Sequence, residues 1–164
     1  MDEAGERAAR LLDGLRAFGA NYTEFTGRFA SWLGLHSTDA AALAEILYAE
    51  DQGAPLTPTR LSERLSLTTG ATTNLLNRLE KLGHVVRTRE HADRRVVTLR
   101  SGPDIETPAR AFFGPLAGHL DALVAQYPPG QLDLVEDFLE RLRDTMRTAL
   151  ADPPPDRPAS GGTT

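Results

Sequence analysis

LTPTRLSERLSLTTGATTNLLNRLEKLGHVVRTREHADRR, residues 56–95, decides the fold. Thr57 followed by Pro58 marks a sharp helix start. The threonine hydroxyl can accept from an early helical N–H, and proline at the first helical position forfeits no hydrogen bond. This helix is predicted to end near Leu65. After the brief turn Ser66-Leu67, Thr68 or Thr69 caps a further helix that stops at Gly83, a residue suited to the left-handed conformation closing a helix. Two short helices across a tight turn, the second amphipathic, make a helix-turn-helix pattern. Two β-rich runs follow at 84–89 and 95–100, joined by a polar link, and read as a hairpin. A hairpin directly behind a helix-turn-helix is a wing.

Upstream, the first third of the chain reads as one long helix. Ala8, Leu11, Leu15, Phe18, Tyr22, Phe25, Phe29 and Trp32 recur at alternating spacings of three and four, a heptad-like seam. Gly14, Gly19 and Gly27 each weaken such a helix by roughly 1 kcal/mol relative to alanine, so packing within or between chains must hold it. A second helix is expected to start at the capping cluster Ser37-Thr38-Asp39 and to stop near Gly53-Ala54-Pro55. Downstream, Thr107-Pro108 is expected to open a fifth helix reaching about Tyr127, and Pro128-Pro129-Gly130 to break it. The sixth carries Leu132, Val135, Leu139, Leu142, Met146 and Ala149, another seam. The expected fold is therefore mostly α: a winged helix-turn-helix, a three-helix core plus hairpin, at about 38–100. Long dimerisation helices flank it at about 4–33, 107–127 and 130–150. Residues 1–151 read as one domain, and the Pro- and Gly-rich 152–164 as a disordered tail.

The 164 residues carry a formal charge of −5, but unevenly. From Thr57 to Arg100 nine basic residues face four acidic ones, a balance of +5, which leaves −10 for the rest. A basic centre between acidic ends suits a polyanion site mounted on a separate scaffold; a solvated charged surface is the plainer alternative. The absence of cysteine excludes disulfides, thiolate metal sites and cysteine nucleophiles. With no long apolar run and no signal-like start, the expectation is a soluble cytoplasmic protein without a membrane partner.

The helix before the hairpin carries the most pointed chemistry. With Leu75 at the centre of its buried face, Ala71, Leu79 and Leu82 fall beside it at about 100° per residue. Thr69, Gly70, Thr73, Asn74, Asn77, Glu80 and Lys81 are then left on the opposite face. Threonine and asparagine can hydrogen-bond base edges, threonine methyls can meet thymine methyls, and Gly70 permits close approach, which suits a helix entering the major groove. The hairpin tip holds Arg94 and Arg95, able to enter a narrow A·T-rich minor groove, and Asp93, placed to fix one of them by a charge-assisted bond.

Residues 56–95 resemble the MarR (multiple-antibiotic-resistance regulator) family, dimeric winged-helix transcription factors of bacteria and archaea. The likeness rests on the helix-turn-helix, on Leu79-Glu80-Lys81-Leu82-Gly83 at the end of its second helix, and on Asp93 and Arg95 in the wing. Upstream, residues 34–43 (GLHSTDAAAL) also resemble that family. The resemblance implies that Arg95 is the minor-groove arginine and Asp93 its holder. It implies major-groove contacts from Thr68, Thr69, Thr73, Asn74 and Asn77, with Arg78 on phosphate. One departure is the short second strand, followed at once by Ser101-Gly102-Pro103-Asp104. The resemblance further implies a small aromatic effector, for which Tyr22, Phe25, Phe29, Trp32 and His36 are candidate lining. The same rings also read as core and dimer contact, the plainer of the two.

No pair among His36, His84, His91 and His119 has metal-binding helical spacing, and no phosphate loop or nucleophile elbow occurs. No enzyme activity, metal or cofactor is expected. The expected function is a transcriptional regulator, a repressor by preference, acting as a homodimer on double-stranded, pseudo-palindromic operator DNA. The rival is a winged-helix protein-interaction module without specific DNA binding.

Overall fold

The computed structural model describes residues 3–89 and 96–153. Its elements run α1 (Glu3–Leu33), α2 (Ser37–Asp51), α3 (Pro58–Leu65), α4 (Thr69–Lys81), β1 (Val85–Arg89), β2 (Val97–Ser101), α5 (Pro103–Val124) and α6 (Pro129–Ala151). Residues 1–114 form one compact unit and 115–164 a second. The first contains a winged helix-turn-helix made of α2, α3, α4 and the hairpin.

Local chemistry explains the helix-turn-helix. Thr57 accepts a hydrogen bond from the Arg60 N–H at 3.2 Å, with Pro58 first in α3. Ser66 takes a left-handed conformation at φ 53° and turns the chain towards α4. Thr68 caps α4 by accepting from the Ala71 N–H at 3.2 Å. At the far end Gly83, at φ 74°, lets the His84 N–H donate to the Leu79 carbonyl at 2.9 Å. The expectations for these caps and turns hold.

The core lies where α2, α3, α4 and the hairpin converge. Leu43, Ile46, Leu61, Leu75, Leu76 and Leu79 are buried together with Val85 and Leu99. The strands pair antiparallel, Val85 opposite Ser101 and Arg89 opposite Val97. A third segment docks on the sheet edge, where the Leu99 N–H donates to the Leu56 carbonyl at 2.8 Å. From α1, Phe29 and Ala30 enter the same core.

Four expectations need correction. The cap of α2 is not the Ser37-Thr38-Asp39 cluster: those residues are already helical, His36 occupies the cap, and its side chain makes no capping bond. The buried stripe of α4 is Thr72, Leu75, Leu76 and Leu79, whereas Ala71 and Leu82 are exposed. The helix is rolled towards Leu76, and the Thr72 hydroxyl is satisfied internally by donating to the Thr68 carbonyl at 3.0 Å. The fifth helix begins at Pro103 rather than Thr107, so Pro108 lies inside it, and it ends at Val124.

That early start follows from the short second strand, which leaves Gly102 as the only spacer between β2 and α5. Its N–H donates to the His84 carbonyl at 2.8 Å, and the Ile105 N–H donates back to its carbonyl at 3.2 Å. The chain passes so close to Gly83 that a Cβ on Gly102 would stand 1.8 Å from the Gly83 carbonyl oxygen. Backbone cannot yield as a side-chain tip can. Gly102→Ala is therefore expected to lower unfolding free energy by about 2 kcal/mol or more, read from the shift of the urea midpoint.

In the second unit α6 buries none of its residues. Val135, Phe138, Leu139 and Met146 stand exposed along it. Among the described residues no helix is long and apolar enough to cross a membrane.

Candidate nucleic-acid interface

The exposed face of α4 is built from small polar side chains. Thr69, Gly70, Thr73, Asn74 and Asn77 are all exposed, as expected, while Glu80 is half-buried. The Thr73 hydroxyl donates to the Thr69 carbonyl at 2.9 Å, so towards a ligand it can offer a methyl and an accepting oxygen. Thr68 has its oxygen engaged as the cap but retains a hydroxyl proton to donate. The first turn of α4 also presents backbone N–H groups that have no partner inside the helix, the ordinary chemistry of a helix N-terminus towards an anion.

Two arginines fix this face to the rest of the domain. Arg78 reaches back to Asp39 in the first turn of α2, donating from Nε to Oδ2 at 2.9 Å and from Nη2 to Oδ1 at 2.6 Å. Asp39 is only 2% exposed. The bond to this carboxylate raises the Arg78 pKa above its already high ordinary value. Arg87, on β1, donates to Glu80 Oε2 at 2.7 Å and to Asn77 Oδ1. The wing's first strand is thereby tied to the exposed polar face of α4. Sequence reasoning did not find Asp39 or Arg87 in these roles, because each works through a partner that spacing alone does not reveal.

Much of the central positive charge is spent inside the chain. Arg64 pairs with Glu45 at 2.8 Å, Arg60 approaches Glu63 at 3.7 Å, and Arg100 approaches Glu50 at 3.7 Å. Glu50 also receives the Ser101 hydroxyl at 2.6 Å and its N–H at 3.0 Å, so α2 holds the base of the hairpin. Asp93, Arg94 and Arg95 lie outside the described residues.

The candidate effector residues divide. Phe25, Phe29 and Trp32 join an aromatic cluster with Phe112 and Phe113 of α5, which sequence reasoning missed. Phe29 meets Phe113 at 4.6 Å between ring centroids, and Trp32 stacks on Phe112 at 5.4 Å. Tyr22 instead stacks on Phe18 at 6.0 Å, and His36 is exposed. Partial burial, with the Glu45 carboxylate and Tyr48 also contributing, pushes the Tyr22 phenol above its ordinary pKa. No cluster of metal-ligating side chains is present among the described residues.

The Asp39–Arg78 pair makes an asymmetric prediction. Arg78→Ala leaves a carboxylate in the interior without its partner, whereas Asp39→Ala leaves a half-exposed guanidinium that water can solvate. Arg78→Ala is expected to lower the thermal midpoint more than Asp39→Ala, with the double variant no worse than Asp39→Ala. Equal losses from the two single variants would show that the carboxylate is not the costly member.

Comparison with known proteins bears on this geometry. A MarR family model matches residues 33–96. The chain is 31% identical over 135 residues to the HTH-type transcriptional regulator YcgE of Bacillus subtilis (strain 168), covering 82% of this chain and 85% of that protein. Among solved structures it resembles the transcription regulator MarR from Oenococcus oeni PSU-1, with a TM-score of 0.61 at 16% identity over 82% of this chain and 98% of that one. S. aureus MepR in its DNA-binding conformation gives a TM-score of 0.61 at 16% identity over 80% and 95% of the two chains. The structural likenesses establish the fold, and the sequence relative carries the assignment further, to regulators rather than enzymes. The chain belongs to the MarR family of transcriptional regulators.

Proposed function

We propose that this regulator is a repressor that binds a pseudo-palindromic operator as a homodimer, with α4 in the major groove and the hairpin tip in the adjacent minor groove. The observation that carries the reading is the exposed face Thr69, Gly70, Thr73, Asn74 and Asn77, set opposite a leucine stripe that anchors the helix. An ordinary solvated helix face would carry glutamate and lysine there. This one carries short hydrogen-bonding groups and a residue without a side chain, which a groove wall can approach. S. aureus MepR, described in a DNA-binding conformation, shares the fold.

In this reading Thr68, Thr69, Thr73, Asn74 and Asn77 contact the major groove. Arg78 reaches phosphate with the part of its guanidinium not engaged by Asp39. Arg95 enters the minor groove, steadied by Asp93, with Arg94 beside it. Each subunit takes one half-site, and half-sites lie about 34 Å apart along the duplex. Homodimer formation is supported by the apolar seams of α1 and α6, where Leu11, Phe18, Leu139 and Met146 stand exposed in the single chain. The packing of Phe25, Phe29 and Trp32 on Phe112 and Phe113 favours core over effector lining for those rings.

Fluorescence anisotropy against the DNA upstream of the gene and a scrambled control, over a series of salt concentrations, tests the proposal. Binding to the operator is expected to exceed non-specific binding by about a thousandfold, with log K falling steeply against log[salt]. Absence of salt-dependent binding to any DNA would support the protein-interaction module instead. Arg95→Ala should weaken binding at every sequence and most at A·T-rich wing sites; Asn74→Ala should relax sequence preference with a smaller loss of affinity. An Arg95→Ala protein that binds like wild type removes the wing from the interface.

A further inference from the structure

The contacts of Arg87 carry one step more, which rests on the reading that α4 enters the major groove. Arg87 donates from Nη1 to Glu80 Oε2 at 2.7 Å. From Nη1 and Nη2 it also reaches Asn77 Oδ1, at 3.4 and 3.3 Å. A guanidinium carries donors and no acceptor, so an amide turned towards it must present its oxygen; the flipped amide would set N–H against N–H. Oδ1 is therefore the atom turned towards Arg87, across two long contacts. The Nδ2 group, with two N–H donors, is left for the exposed side of the helix. Glu80 holds the other side of the arrangement, since its carboxylate anchors Nη1 and spends the arginine's charge.

This orientation changes what Asn77 can read. A free asparagine pairs with adenine through two bonds, its oxygen accepting from the N6 amino group while its amino group donates to N7. An asparagine whose oxygen is turned to an arginine presents its amino group, a donor, to the base. In the major groove guanine offers two acceptors, O6 and N7, and thymine offers O4; adenine keeps N7 but sets its N6 amino donor beside it, against the asparagine's own N–H, and cytosine presents only its N4 donor. We infer that Arg87 is a positioning residue that makes Asn77 a selector for keto bases, guanine or thymine, over amino bases, adenine or cytosine, at the base it faces. Arg87 acts through Asn77 and does not itself contact DNA.

Selection from a randomised duplex pool, followed by sequencing, tests this with wild type, Asn77→Ala, Arg87→Ala, Arg87→Lys and the Asn77→Ala/Arg87→Ala double variant. In wild type one position per half-site should favour keto over amino bases by about tenfold. Asn77→Ala should abolish that preference and leave other positions unchanged. Arg87→Ala should shift the same position towards adenine, because the freed amide can turn, while Arg87→Lys, which keeps a donor, retains part of the keto preference. The double variant should match Asn77→Ala.

The salt slope supplies an independent readout. It should be the same for Arg87→Ala as for wild type, whereas loss of a phosphate contact would reduce it by about 0.9. An adenine or cytosine preference at the Asn77-dependent position in wild type overturns the inference. So does an unchanged preference matrix in Asn77→Ala or Arg87→Ala, or a uniform loss of affinity in Arg87→Ala with a reduced slope. A wild-type protein that enriches no sequence overturns the DNA-reading proposal itself, an outcome distinct from enrichment that ignores Asn77.

Discussion

The placement of α4 depends on a carboxylate taken almost completely out of water. Asp39, at 2% exposure, would be costly to bury alone. Two features make it tolerable. It sits in the first turn of α2, where the helix dipole and unpaired N–H groups favour negative charge. It also receives both donors of one edge of the Arg78 guanidinium, the planar fork that matches a carboxylate. The leucine stripe of α4 supplies the larger hydrophobic term but little direction, since a smooth stripe tolerates a small roll. A bidentate bond does not. Arg78 and Asn77 are neighbours in sequence, so the roll fixed by Asp39 also fixes which way the polar face points.

The wing is positioned by a comparable division of labour. Burial of Val85 and Leu99 holds the hairpin to the core, and the Leu56 carbonyl aligns β2 through a backbone bond. Glu50 grips the base through Ser101, and Gly102 lets the chain turn into α5 against the Gly83 carbonyl. The same glycine that closes α4 thus also abuts the start of α5. The end of α4, the hairpin base and the start of α5 converge on one stretch of backbone, where no side chain can be accommodated on Gly102.

What the sequence disclosed was local. Thr57-Pro58, the Ser66 turn, the Thr68 cap and the Gly83 stop each act over a few residues, and each lies where spacing put it. The fold class followed from their order. What stayed hidden was long-range or a matter of a few degrees. Asp39 looked like part of a cap because a carboxylate near a helix start usually is one; its partner lies 39 residues away. Leu82 looked buried because periodicity cannot tell a stripe centred on Leu75 from one lying between Leu75 and Leu76. Phe112 and Phe113 attracted no notice, since adjacent aromatics fit no helical stripe, yet both meet rings from α1. Of the candidate site, the exposed face was legible and the network behind it was not.

That network alters the balance between affinity and discrimination. A run of unpaired arginines would give strong, salt-sensitive attraction to any duplex. Here Arg64, Arg78, Arg87 and Arg100 each lie beside a carboxylate, so the positive balance counted along the chain overstates the field available to phosphate. A helix that binds through such a surface relies more on hydrogen-bond geometry, and geometry discriminates only when the donors and acceptors are held still. Two of these pairs, Arg78 with Asp39 and Arg87 with Glu80, also fix the roll of α4 and set a guanidinium against Asn77. If α4 reads DNA as proposed, attraction to DNA in general is exchanged for selectivity among sequences.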